Sequence, residues 1–341
     1  MKSVYIYCPA SSYTGGPTLA HQLCASLIEI GVNAKMWYDC YPIKKPFINP
    51  VHENYKQFNL PFVKYRPKDT RESVIILLES SVLYLWKFKK AKCYVWWMSV
   101  DNYFMNMGST LDAYKKRLGR FKYSLQYGKD FESKHQKKYS IIQREDVTHL
   151  VQSEYAREFL LSRHIAEERI FDLGDYLEEE LLNVKLSDIP SKSGKKVLYN
   201  PKKGYEFTQL IKEATPECEW IPLINMNKSQ VRDNLLQSKL YIDFGNHPGK
   251  DRFPREAIMC GCCIITGKRG AAKNNIDIPI LDQYKFEDTE ESIPRIKETI
   301  RDIIDNYEEN YKNFLDYRER TSNEKQGFKS QVKELFEYLC D

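Results

Sequence analysis

Residues 243–274 read DFGNHPGKDRFPREAIMCGCCIITGKRGAAKN. The apolar stretch KLYIDFG, 239–245, has the composition of a buried strand and ends in a polar Gly/Pro loop. Pro254 suits the opening of a helix over 254–260, which puts Glu256 in its first turn. CCIITG at 262–267 returns as a second buried strand, closed by the loop GKRG. Strand, loop, helix and strand in this order make a parallel α/β unit, and such sheets bind ligands beyond the carboxyl ends of their strands. Both loops lie there. Arg252, Lys268 and Arg269 add charge suited to phosphates. Glu256 has two readings: a carboxylate accepting two hydrogen bonds from a ribose diol, or a first-turn helix acid worth about 0.3 to 1 kcal/mol.

The same alternation extends in both directions. Upstream come strand KKVLYN (195–200), a helix over 205–214, strand CEWIPLI (218–224) and a helix over 229–237. Earlier still, SVYIYCPA (3–10), the turn SSYTGGP (11–17), a helix over 18–30 closed by Gly31 and strand NAKMWYD (33–39) form a βαβ unit, followed by strands at 74–78, 93–98 and 148–152. Residues 182–194, with Pro190, Ser191, Ser193 and Gly194 among charged residues, read as a linker. The organisation is therefore an N-terminal Rossmann-like domain over 1–181, the linker, a second Rossmann-like domain over 195–310, and C-terminal helices over 311–341 that finish the second domain or cross back to the first.

Composition agrees with a two-domain globular protein: 341 residues, 42% of them hydrophobic, with 15 Gly and 15 Pro. No apolar run approaches the roughly 20 residues that span a bilayer, and the start reads as a strand in place of a signal peptide, so a cytoplasmic location is expected. Nine cysteines, scattered from Cys8 to Cys340, fit neither a disulfide framework nor a zinc ribbon; Cys260, Cys262 and Cys263 read as small apolar residues entering a buried strand. No two histidines stand in an H-x-x-x-H pair, and no metal is expected. The whole-chain charge is +5, but residues 287–341 hold 15 Asp/Glu against 9 Lys/Arg, leaving a basic body suited to an anionic ligand or surface. Nucleic acid is disfavoured, because no zinc-finger spacing, aromatic RNA-binding motif or basic heptad region is present.

Other candidate groups follow the strand ends. Gly15 and Gly16 precede a helix, where backbone N–H groups face an anion or close an ordinary glycine turn. NPKKG at 200–204 ends the first strand of the second domain, so Asn200, Lys202 and Lys203 sit where a diphosphate would bind; two solvated lysines are the alternative. YVWWMSV delivers Asp101 and Asn102 to a strand end, with Glu79 at the end of an earlier strand. Asp101 leads and Glu79 follows as candidates for the reacting region, and either also serves as a helix cap. His21 reads as a packing residue of the first helix. Over 112–139 there are nine Lys/Arg against three Asp/Glu, interleaved with aromatics, which suits an anionic bilayer or a solvated helical face.

Taken together, these motifs resemble a GT-B fold glycosyltransferase over nearly the full length, in particular the retaining glycosyltransferase group 1, or family 4-like, enzymes. GGPTLAHQLCASLIEIG is similar to that family's N-terminal glycine loop and first helix, KKG to its diphosphate-binding Lys-Gly, and FPREAIMCGCCIITGKRG to its E-A-x-x-x-G-x-x-V-I-x-x-x-x-G segment, with Glu256 at the ribose-binding glutamate. The resemblance implies an α/β GT-B architecture, two Rossmann-like doubly wound domains facing a cleft with C-terminal helices, and a nucleotide diphosphate sugar held mainly by the second. It implies metal-independent transfer to a hydroxyl, on a glycan or lipid-linked acceptor, in surface polysaccharide or glycoconjugate synthesis, with peripheral contact at the inner membrane face. Two positions depart from the pattern. Pro248 stands where relatives carry a glutamate eight residues before Glu256, and Tyr199 or Asn200 stands near the place of an arginine. Substitute contacts then fall to the loop around His247, Gly249, Lys250 and Asp251. A nucleotide-sugar epimerase of the same fold and a transfer-inactive nucleotide-sugar-binding subunit are the alternatives.

Overall fold

The computed structural model describes residues 2–39, 49–104 and 140–340. The basic segment 112–139 falls outside these residues. The chain divides into two compact units, one of Met1–Gln152, Ala156–Asp175 and Gly327–Asp341, the other of Ser153–Tyr155 and Tyr176–Gln326. The stretch 182–194 thus lies within the second unit, and residues after 326 group with the first.

In the first unit the elements are β1 (Ser3–Pro9), α1 (Gly15–Glu29), β2 (Ala34–Asp39), β3 (Phe62–Val63), β4 (Ser73–Leu78), β5 (Lys92–Trp97), α2 (Val100–Phe104), β6 (Val147–Val151), α3 (Glu154–Ser162) and β7 (Ile170–Asp172). The strands form one parallel sheet in the order β3-β2-β1-β4-β5-β6-β7. All six residues of β4 are buried, as a strand covered on both faces requires. Helix α1 starts at Gly15, three residues before the position that its polar turn suggests. Pro17 falls in the first turn, where its missing N–H leaves no intrahelical bond unmade, so Gly-Gly-Pro opens the helix and does not precede it.

The second unit contains α4 (Glu179–Leu182), β8 (Lys196–Tyr199), α5 (Tyr205–Ala214), β9 (Glu219–Pro222), α6 (Lys228–Gln237), β10 (Leu240–Asp243), α7 (Arg252–Met259), β11 (Cys263–Gly267), β12 (Lys285–Phe286), α8 (Ile293–Asp305), α9 (Tyr307–Tyr311), α10 (Leu315–Ser322) and the first turn of α11 (Glu324–Phe336). Its parallel sheet has the order β12-β11-β10-β8-β9. Leu240, Ile242, Ile264 and Ile265 form its core with Ile296, Ile300 and Ile303 of α8. Cys260, Cys262 and Cys263 are buried in that core, and burial pushes the Cys260 thiol up to about 12. Buried Lys192 donates to the carbonyls of Leu235 (2.8 Å), Ser238 (2.6 Å) and Cys260 (2.8 Å), satisfying acceptors at the ends of α6 and α7. That cation ties the stretch read as a linker to the second unit.

Candidate functional site

Strand order places the site. From β8 the chain passes to β9 on one side and then back to β10 on the other, so the direction of winding reverses between β8 and β10. Such a reversal splays the two following connections apart and opens a crevice at the carboxyl edge. The loop after β8 carries Asn200, Lys202 and Lys203, and the loop after β10 carries 244–251. Glycine lets these loops meet. Gly204 has φ 56°, and a Cβ there would lie 2.5 Å from the Phe244 carbonyl oxygen. Gly270, in the loop after β11, has φ 60°, and a Cβ would lie 2.1 Å from the His247 carbonyl oxygen.

A chain of charges runs through this edge. Asp243, the last residue of β10, accepts from the Tyr241 hydroxyl (2.8 Å) and from the Gly245 N–H (3.0 Å). The fully buried imidazole of His247 lies with Nε2 3.6 Å from Asp243 Oδ1 and Nδ1 3.0 Å from Asp251 Oδ2. Asp251 in turn bonds the Lys203 ammonium. Burial pulls the His247 proton affinity down, but the Asp251 and Asp243 carboxylates outweigh it and leave the group above its ordinary value. Asp251 is the converse: burial raises it, while His247 and Lys203 hold it below the usual carboxylate range.

Asp243, His247 and Asp251 offer ligand atoms within 4.8 Å of one another, a donor set that suits a cation. The two carboxylates approach opposite nitrogens of one ring, so the imidazole lies between them. The Lys203 ammonium supplies positive charge at the outer end. The arrangement is an ionic chain.

The other expected groups surround it. Asn200 Oδ1 accepts from the Lys202 N–H at 3.0 Å, which shapes the loop, and Lys202 is exposed. Glu256 stands in the second turn of α7, not the first, because the helix already begins at Arg252. There it accepts from Arg252 Nε at 3.2 Å, and the same guanidinium bonds Glu178, which also pairs with Lys228 at 2.9 Å. Arg269 donates to the Phe244 carbonyl (3.2 Å) and pairs with Asp288; Lys268 is half-buried beside it. Behind the loop, fully buried Arg255 bonds Glu324 (2.7 Å) and the Lys250 carbonyl (3.1 Å), and Lys250 pairs with Glu324 at 2.7 Å.

The first unit has a corresponding reversal between β1 and β4. Gly16 lies against Leu78 and Met98, and Gly15 precedes it in the first turn of α1. Glu79 is only 2% exposed and accepts from the Met98 N–H at 3.2 Å, tying the ends of β4 and β5; this makes it a poor candidate for a group open to substrate. Asp101 is half-buried in the first turn of α2. His21 is buried, bonded through its ring nitrogens to the Pro17 carbonyl and the Tyr38 hydroxyl at 2.6 Å each, as its packing reading required.

Sequence reasoning found Lys203, Arg252 and Glu256 and named the loop around His247 and Asp251 as a source of contacts, but missed Asp243, Glu178 and Glu324 and the ion pairs that join these groups. Asp243, His247 and Asp251 recur every fourth residue. In a loop that spacing carries no geometric message, so the pairing of His247 with Asp243 and Asp251 was not legible. Glu178 and Glu324 are 74 and 69 residues from the arginines they bond, and nothing local marks them.

No family model matches the sequence, and no curated protein matches it. Solved structures do. Anabaena HepE, crystallised with UDP and glucose, superposes with a TM-score of 0.65 at 10% identity, covering 98% of this chain and 99% of its own. The chain has the GT-B fold. A glycosyltransferase from Rickettsia africae (TM-score 0.58, 12% identity, 99% and 97% coverage) and sucrose-phosphate synthase from Thermosynechococcus elongatus (0.55, 11%, 100% and 96%) share it. The α/β architecture with two Rossmann-like sheets, expected from the motifs, is therefore the architecture of the protein. Among the described residues no helix is long and apolar enough to cross a membrane.

Proposed function

We propose that the protein is a glycosyltransferase that takes a nucleoside diphosphate sugar at the carboxyl edge of the second sheet and moves the sugar to a hydroxyl acceptor. The observation that carries the reading is the meeting of the Lys203 loop with the loops after β10 and β11 at the β8/β10 reversal. The fold shared with HepE, whose structures hold UDP and UDP-glucose, supports it.

In this reading Lys202, Lys203, Lys268 and Arg269 face the diphosphate, while Glu256, aligned by Arg252, accepts from the ribose hydroxyls. The bond from the anomeric carbon to the diphosphate oxygen breaks, one to the acceptor oxygen forms, and the charge left on the nucleoside diphosphate is stabilised by the ammonium and guanidinium groups. No metal is needed for that step. The acceptor proton passes to the leaving phosphate. Surface polysaccharide or glycoconjugate synthesis is the setting that this chemistry fits, and the basic segment 112–139 suits an acceptor presented at an anionic membrane.

Thermal shift across the UDP, GDP, dTDP and CMP sugars identifies the donor, since a ligand of the native state raises stability. Incubation of the stabilising donor with and without hydroxyl acceptors then gives the activity. Release of nucleoside diphosphate that depends on acceptor supports transfer. A changed sugar with donor alone means epimerisation, and binding without turnover means a nucleotide-sugar-binding subunit, for which Pro248 in place of a glutamate would be the reason.

A further inference from the structure

We infer that His247 is a positioning residue for Lys203: by sharing Asp251 with the ammonium, it sets how firmly that ammonium is held away from an anionic ligand. The inference rests on the donor site proposed above. It begins from geometry. A fully buried ring lies between two carboxylates, 3.6 and 3.0 Å from its two nitrogens, and the outer carboxylate bonds the lysine that the β8/β10 reversal delivers to the edge.

The charges facing the ring come from every element around it. Asp243 stands at the end of β10 with the Tyr241 hydroxyl on its other oxygen, Asp251 closes the ring's own loop, and Lys203 comes from the loop after β8. Arg255 of α7 donates to the Asp251 carbonyl at 3.3 Å, its own charge being met by Glu324. The loop after β11 contributes backbone, the Ala271 N–H donating to the His247 carbonyl at 2.8 Å.

With the ring protonated, Asp251 is balanced by two cations and its hold on either is divided. Loss of the ring proton leaves Lys203 as the sole cation on Asp251 and removes one positive charge from the edge. Both changes weaken anion binding, so affinity for a diphosphate diester falls as pH rises through the His247 titration, which the neighbouring carboxylates place above the ordinary histidine range. Coupling between the two cations is reciprocal: the ammonium opposes the imidazolium, and the imidazolium opposes the ammonium at Asp251.

Two measurements test this. The first follows the His247 ring by NMR in wild type and Lys203→Met from pH 5 to 9. Removing the ammonium moves the titration upward; an unchanged titration overturns the inference whether or not any donor binds. The second measures binding of the UDP, GDP, dTDP and CMP sugars by calorimetry over the same range. For the diphosphate diesters among them, whose charge does not change there, wild-type affinity falls at least about fivefold toward high pH, the low end of ordinary coupling between sites. In His247→Gln, checked for a native melt, the affinity is low and flat. Equal pH dependence in wild type and the variant overturns the inference; so does a flat wild-type profile, which needs no variant to fold. If none of the sugars binds, the donor reading fails and the NMR result alone decides the coupling.

Discussion

The two sheets reverse their winding in the same manner, yet the edges they create carry opposite chemistry. At the β1/β4 edge the charged group nearest the reversal, Glu79, is buried and bonded to backbone, and the nearby histidine, His21, is driven toward its neutral form by burial. At the β8/β10 edge Lys203, Arg252 and Arg269 each meet a carboxylate, and the buried histidine is driven toward its charged form. Topology builds a crevice in both units; the loop residues decide whether it suits an anion.

Removing a carboxylate from behind the charged edge sharpens this contrast most. Arg255 is fully buried, and Glu324→Ala strips its carboxylate, a change that costs about 3 to 5 kcal/mol when a buried pair is broken from one side. Hydrogen exchange should then show the second unit opening more readily while the first keeps its protection. Unchanged protection in the second unit would mean that Arg255 is satisfied by its carbonyl contacts alone.

A smaller effect is expected at Glu256. Its truncation to Ala removes one charge-assisted partner from Arg252 but leaves Glu178 in place, so the fold persists. Donor affinity falls by about 1.5 to 3 kcal/mol, the range for a hydrogen bond to a charged group. Calorimetry with the stabilising nucleotide sugar measures it, and undiminished affinity removes Glu256 from the site.

The smallest effects, and the ones that separate the units by sign, come from pH. Folding raises the His247 proton affinity, so its contribution is fully present below the unfolded value of about 6.5 and is lost as pH rises through the native one. His149 of the first unit is held down to about 3, by burial first and by Arg169 second. There the unfolded chain takes the proton first, and stability is lost as pH falls below about 6.5. Each histidine contributes a slope of at most about 1.4 kcal/mol per pH unit. Exchange measured unit by unit from pH 5 to 8.5 should show the two trends running in opposite directions, and parallel trends would break the comparison.

Much of the fold was legible because burial leaves a composition signal. Strands such as SVIILL and CIITG are mostly apolar and buried along their whole length, as two-sided coverage demands, and α5 occupies the residues its pattern marks. Boundaries slipped where local chemistry permits two outcomes: Gly-Gly-Pro reads as a turn yet opens α1, and α7 starts at Arg252, two residues ahead of Pro254. In the site, the cations were visible because they follow strand ends. Their counter-ions were not, since Glu178 and Glu324 reach their partners only through the packing of distant segments.

The central claim is that the edge at Lys203 holds a diphosphate. Titrating wild type and Lys203→Ala with the UDP, GDP, dTDP and CMP sugars, and with the matching nucleosides, tests it most directly. The account predicts that a diphosphate sugar binds wild type and loses at least about tenfold in affinity in the variant, as a lost charge-assisted contact of about 1.5 kcal/mol or more requires, while nucleoside affinity stays the same. Equal losses for sugar nucleotide and nucleoside, or no binding of any sugar nucleotide to the wild-type chain, would contradict it.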